Sequence, residues 1–136
     1  MKNIFVILIL SFLTSCASLV KDPDQKIVIN TYPDNATITI RNSRGIVVKK
    51  TSSPDFFSLA RSDGSYFGAE SYTVEISKPN YQTKSLKIES KANNWYKFGN
   101  LAFGFILGWL VVDPITGNMY DLYPTNINEI LVKRNK

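Results

Sequence analysis

The sequence predicts a mainly β protein, a small antiparallel β-sandwich with one apolar, glycine-containing helix or segment near the C-terminus. Three observations lead there. Apolar residues recur with period two in several short runs between Ile27 and Glu89, the mark of strands with one buried face. Turn-forming groups separate the runs: Pro33-Asp34-Asn35, Asn42-Ser43-Arg44-Gly45, Asp63-Gly64 and Pro79-Asn80. No run with helical periodicity precedes residue 94. With 136 residues the chain has the length of one ordinary domain. Apolar residues at 44% suffice for a core, and charged residues at 20% are too few for a disordered chain.

The first element, residues 1–15, reads as an address. Lys2 is its only charge, and Ile4 to Leu13 is apolar except for Ser11. That is the pattern of a secretory signal, too short for the about 20 residues that a membrane-spanning helix needs. Leu13-Thr14-Ser15-Cys16 follows and resembles the lipobox of bacterial lipoproteins: Leu, two small residues, then Cys. The resemblance implies signal peptidase II recognition through Leu13, Thr14 and Ser15 and cleavage before Cys16. The Cys16 thiol would then carry diacylglycerol, and its new amine would be acylated, for example by palmitate. Several acyl chains meet the two-signal requirement for stable anchoring. Ala17, not Asp, follows the Cys, which in that family implies sorting to an outer membrane. Residues 16–25, short and mostly polar with Pro23, read as a tether.

Residues 26–90 read as the β-domain. Its expected core faces are Ile27, Ile29 and Thr31; Ala36, Ile38 and Ile40; Ile46 and Val48; Tyr72, Val74 and Ile76; and Leu86 with Ile88. The run Tyr32-Pro33-Asp34-Asn35-Ala36-Thr37-Ile38-Thr39-Ile40 resembles the opening of PEGA-type β-domains, which place Pro-x-Gly-Ala between two strands. Tyr72-Thr73-Val74-Glu75-Ile76-Ser77-Lys78-Pro79-Asn80-Tyr81 resembles that family's second hallmark, a Tyr-x-Val-x-Ile strand ending in Lys-x-Gly-Tyr. Asn35 and Asn80 stand at its two Gly positions. Asn is the commonest non-Gly residue at positive φ, so both predict the same turn geometry. The resemblance implies an extracytoplasmic β-sandwich and no catalytic residues.

Within this domain Thr51–Ser71 reads as a long link carrying Phe56, Phe57, Tyr66 and Phe67 among Ser, Asp and Gly. Aromatic rings on such a loop either form a contact surface or fold back to cap the open end of the sandwich.

Residues 91–124 form the next unit. Phe98–Val112 contains no charge and one polar side chain, Asn100. A helix there would be apolar all round, hence buried or in lipid. Gly104 and Gly108 make a GxxxG strip suited to close backbone approach. Three readings stand: the segment packs on the β-domain, inserts in or beside the membrane, or forms an oligomer face. The run Gly108–Tyr120 resembles a block of small bacterial lipoproteins in which a Gly-rich apolar stretch precedes Val-Asp-x-x-Thr-Gly-x-Met-Tyr and follows a PEGA-like domain. Residues 125–136 complete the chain. Asn126–Val132 is a final strand or helical turn, followed by the basic tail Lys133-Arg134-Asn135-Lys136.

Composition excludes much chemistry. With no His there is no Ser-His-Asp triad and no His-ligated metal. The lone Cys cannot close an intramolecular disulfide. Asp55, Asp63, Glu70, Asp113 and Asp121 form no dyad spacing, and no phosphate- or dinucleotide-binding motif is present. The net charge of +5 is spread out and lacks the clustering of a nucleic-acid binder. The expectation is a non-enzymatic lipoprotein of the bacterial cell envelope, on the outer membrane facing periplasm or surface, without cofactor or metal. Its partners would be the membrane, through acylated Cys16, and an envelope protein or glycan; no nucleic acid is expected. The alternative is a structural membrane component in which Phe98–Val112 inserts or oligomerises.

Overall fold

A computed structural model of the chain describes residues 22–92 and 119–135. The lipobox with Cys16, and Phe98–Val112 with Gly104 and Gly108, lie outside the described residues. The described part is mainly β: β1 (Asp24–Tyr32), β2 (Thr37–Asn42), β3 (Val47–Ser52), β4 (Asp55–Ala60), β5 (Tyr72–Ser77), β6 (Lys84–Ala92), β7 (Tyr120–Tyr123) and β8 (Asn126–Ile130). They form a three-stranded sheet, β4-β1-β8, and a five-stranded sheet, β3-β2-β5-β6-β7.

Period two explains most of these strands. Ile27, Ile29 and Thr31 of β1 are buried while their neighbours face outward. Ile38 and Ile40 of β2 lie opposite Ile76 and Val74 of β5 in antiparallel register, and all four are fully buried. Phe57 and Leu59 of β4, Ile88 of β6, Leu122 of β7 and Ile127 of β8 join the same cluster. Both sheets therefore share one apolar core. Asn35 and Asn80 have φ of 59° and 68°, the left-handed geometry their turns require.

Three expectations are corrected. First, the pairing is not wholly antiparallel, because β1 and β8 run parallel, with Ile29 opposite Ile127. These strands stand at the two ends of the domain sequence, and parallel neighbours need a long crossover rather than a hairpin. Second, Ile46 and Val48 are exposed. A bulge between Ile40 and Arg41 leaves Val48 without an opposite residue and reverses the parity of β3. Lys49 and Thr51 consequently occupy its half-buried positions, with the Lys49 ammonium 5.1 Å from the centre of the Phe57 ring. Third, β3 and β4 take up residues 51–60 of the expected 51–71 link. In β4 the buried set is Phe57 and Leu59 while Phe56 points outward, so two adjacent aromatics mask the alternation.

The crossing from β3 to β4 rests on a buried polar relay. Ala36 N–H donates to Ser53 Oγ at 3.0 Å, the Ser53 hydroxyl bonds the Thr31 hydroxyl, and Thr31 Oγ1 donates to Pro33 O at 2.9 Å. Each hydroxyl has one proton, so Ser53 must donate to Thr31. Ser53→Ala is expected to cost about 1–3 kcal/mol by orphaning the buried Ala36 amide, measured as a shift of the urea midpoint. An unchanged midpoint would refute the stabilising role of this relay.

The registers give the molecule two ends. At the near end lie the start of β1, the end of β4, the starts of β5 and β7 and the end of β6: Asp24 pairs with Ala60, Asn42 with Tyr72, and Ala92 with Tyr120. At the far end Tyr32 pairs with Ile130 and Thr37 with Ser77.

Candidate functional site

The near end is built around Arg61, which is buried. Its backbone N–H donates to Pro23 O at 3.2 Å, and its guanidinium donates to Asp22 O and, at 3.0 Å, to Gln25 Oε1. Asp121 Oδ1 lies 3.8 Å from its Nε. Gln25 Oε1 also accepts from Leu122 N–H at 2.8 Å, and Gln25 Nε2 donates to Leu122 O at 3.0 Å. This side-chain amide does for β7 what a ladder partner would do, tying the edge of the large sheet to β1. Asp24 and Gln25 therefore belong to a strand and not to the expected tether. The polar character of Gln25 suggested solvent, but here its amide supplies hydrogen bonds.

Beside Arg61 the chain makes a small loop closed by a bridge between Ser62 and Ala69. Asp63 Oδ1 accepts from Ser65 N–H at 2.9 Å and Ser65 Oγ at 2.6 Å. The Ser65 hydroxyl, its N–H and the Arg44 charge hold the Asp63 carboxyl below its ordinary range. A side chain at Gly68 would meet the Asp63 carboxylate and the Ser65 hydroxyl and push this hydrogen-bonded pair aside. At the tip Tyr66 and Phe67 pack edge to face with ring centres 4.7 Å apart. Tyr120 Oη donates to Phe67 O at 3.1 Å. Glu70, buried, accepts from Ser43 N–H at 3.0 Å, which fixes the 42–46 turn against the loop.

Of the four aromatics singled out in the sequence, the structure keeps only two together. Tyr66 and Phe67 share the loop tip. Phe57 is in the core at 7% exposure, and Phe56, at 76%, stands beside Val28 on the outer face of the small sheet.

Tyr72 closes the near end from inside, donating from its hydroxyl to Ala60 O at 2.8 Å. Burial first, then the Glu70 and Asp24 carboxylates, push its phenol from 10.0 up to about 12. The unfolded chain releases this proton near pH 10 while the folded chain keeps it. The contribution to stability is thus fully present below pH 10 and lost as pH rises to about 12. Tyr72→Phe is expected to remove the last tyrosinate step in a near-ultraviolet titration and to flatten the fall in stability across that window. A titration that keeps its last step would contradict the assignment.

The far end carries a surface that local sequence patterns do not reveal. The tail expected to be solvated runs beside residues 80–82: Gln82 N–H donates to Val132 O at 2.9 Å and Arg134 N–H to Asn80 O at 3.0 Å. Two adjoining depressions of about 500 and 390 Å³ result, sharing Asn80, Tyr81 and Arg134. Lys78 and Lys133 add positive charge, while Thr37, Ser77 and Thr83 add hydroxyls. Lys78 also donates to Asp34 O at 2.7 Å, bracing the 33–35 turn. The only sequence signal was the basic tail together with the Asn80 turn. Their juxtaposition comes from β8 lying parallel to β1.

Among the described residues no helix is long and apolar enough to cross a membrane, and no group of three or more His, Cys, Asp or Glu residues is placed to hold a metal ion. No protein-family model, curated protein or solved structure matches the chain.

Proposed function

We propose that the protein is a lipid-anchored component of the bacterial cell envelope with a non-enzymatic binding or scaffolding role. Its β-domain, a small sandwich resembling PEGA-type domains, is held at the outer membrane through acylated Cys16. The observation that carries this reading is Leu13-Thr14-Ser15-Cys16 at the end of an apolar run that opens with Lys2. A short spacer before β1 agrees with a domain kept close to its anchor. The far-end depressions, with amide, hydroxyl and cationic groups around Tyr81, suit an envelope glycan, peptidoglycan or an acidic face of an envelope protein.

The test is palmitate labelling of the full-length protein in a bacterial host. The wild type should take up label and yield a mature form beginning at acylated Cys16. Cys16→Ser should take up none and accumulate as precursor. Normal maturation of Cys16→Ser would overturn the reading.

The second reading, insertion or self-association of Phe98–Val112, draws on the fifteen uncharged residues there. It predicts that residues 17–136 alone need detergent, or that Gly104→Leu with Gly108→Leu dissolves an oligomer. Monodisperse protein without detergent would refute insertion.

A further inference from the structure

The near end gathers features that solvent alone does not explain. Ile46, Tyr66 and Phe67 are 57%, 58% and 42% exposed. They sit on adjacent turns joined through Glu70 and Ser43. Arg44, exposed on the same turn as Ile46, is close enough to Asp63 for its charge to lower the Asp63 pKa. The chain enters the domain here, with Asp22 and Pro23 held by Arg61. The connection between β6 and β7 also leaves and returns here, at Ala92 and Tyr120.

We propose that this near-end rim, Ile46 with Tyr66 and Phe67, is a membrane-contact surface that rests in the headgroup layer of the bilayer holding the anchor. The proposal rests on the anchored reading of Cys16. Chain length decides which end faces lipid. Six residues from Cys16 to Asp22 reach at most about 22 Å fully extended. The domain is longer than that, because the nine residues of β1 at about 3.3 Å per step span about 26 Å. Arg61 pins Asp22 at the near end, so the tether cannot turn the far end to the membrane. Tyr32 and Ile130, also exposed, are at that far end and out of reach.

The chemistry of the rim fits an interface. Tyr and Phe combine a large apolar face with a tolerance for the headgroup region. The tip is braced by Asp63, Ser65 and Gly68, so little side-chain order is lost on contact. Asp22, Asp24 and Asp63 share this end with Arg44, so the contact is apolar and should persist in high salt. With the near end on lipid, the depressions around Asn80, Tyr81 and Arg134 point away from the membrane.

The experiment uses full-length, acylated protein in vesicles of phosphatidylethanolamine and phosphatidylglycerol. Acylation leaves no other free thiol, so Arg44→Cys and Lys133→Cys each take a single environment-sensitive fluorophore. Nitroxide-labelled lipid headgroups should quench the label at position 44 and leave the label at position 133 unquenched, with and without high salt. Tyr66→Ser combined with Phe67→Asn should lower the quenching at position 44 severalfold, leaving what Ile46 and the short tether still hold near the headgroups. Phe67 has φ of 57°, which Asn tolerates better than Phe, so this variant should stay folded, checked by an unchanged thermal midpoint. Equal quenching at both positions, or quenching at position 44 that the double substitution leaves undiminished, would overturn the proposal. Quenching that varies with protein-to-lipid ratio would indicate contact between copies and overturn it as well. The mass of the vesicle-bound protein separates the two readings. Acylated protein without quenching at position 44 defeats only the orientation, whereas protein lacking acyl groups on Cys16 defeats both.

Discussion

Ile38→Ala or Ile76→Ala is expected to destabilise the protein by about 3–4 kcal/mol, the middle of the range for buried Ile truncation. The two side chains are fully buried and sit opposite each other on β2 and β5. Both strands are interior to the large sheet, so backbone ladders on either side oppose collapse of the cavity. For a domain of this size about 3 kcal/mol corresponds to a melting point lower by roughly 12–24 °C. Ile46→Ala, on the exposed turn before β3, should change stability by less than about 0.5 kcal/mol. Urea unfolding of the three variants measures the contrast. A loss at Ile46 comparable to that at Ile38 would mean that the bulge at Val48 does not turn this segment outward. The double variant of Ile38 and Ile76 should cost less than the sum of the singles, because both empty one shared space.

Arg61→Met should cost about 2–4 kcal/mol, since it removes charge-assisted hydrogen bonds from a buried site. The Asp121 side chain is 40% exposed, so its ion pair adds little. The larger loss is at Asp22 O and Gln25 Oε1, which the guanidinium satisfies directly. Gln25 in turn bonds both backbone groups of Leu122, so the variant should loosen β7 as well as the start of β1. Amide hydrogen exchange reads this: Ile27 and Leu122 should lose protection beyond the change in global stability, while the loss at Ile38 should match that change and no more. Arg61→Lys keeps the charge but lacks the planar fork and should recover less than half of the loss. Full recovery by Lys would show that charge alone, and not the geometry around Gln25, holds the near end.

These effects differ in how visible they were in the chain. The faces of β2 and β5 are legible because Ile38, Ile40, Val74 and Ile76 alternate with polar residues, and that of β1 because Ile27, Ile29 and Thr31 recur at period two; each of these positions proves buried. The left-handed turns at Asn35 and Asn80 are legible for a similar reason, since few residues accept that backbone geometry. In β4 the alternation is present but obscured, since Phe56 beside Phe57 reads as two core residues or two loop residues. The parity of β3 was not legible, because a bulge is decided by how two strands meet. Gln25 and Arg61 carry no local pattern. Their partners are Leu122 and Asp22, distant in sequence, and polarity alone marked Gln25 as tether.

By itself the sequence determined the strands β1, β2 and β5 with their apolar faces, the turns at Asn35 and Asn80, and the lipobox-like end of the first apolar run. These are local properties, set by side-chain alternation, φ preference and short motifs read over a few residues. The tertiary structure alone decided that β8 lies parallel to β1, that Phe57 enters the core while Tyr66 and Phe67 face outward, and that the tail meets Asn80. It also decided that the chain enters the domain at the end bearing Tyr66 and Phe67. Each of those depends on which strands become neighbours across long stretches of chain. That choice is made by the burial of one shared core between two sheets, and no short window of residues contains it.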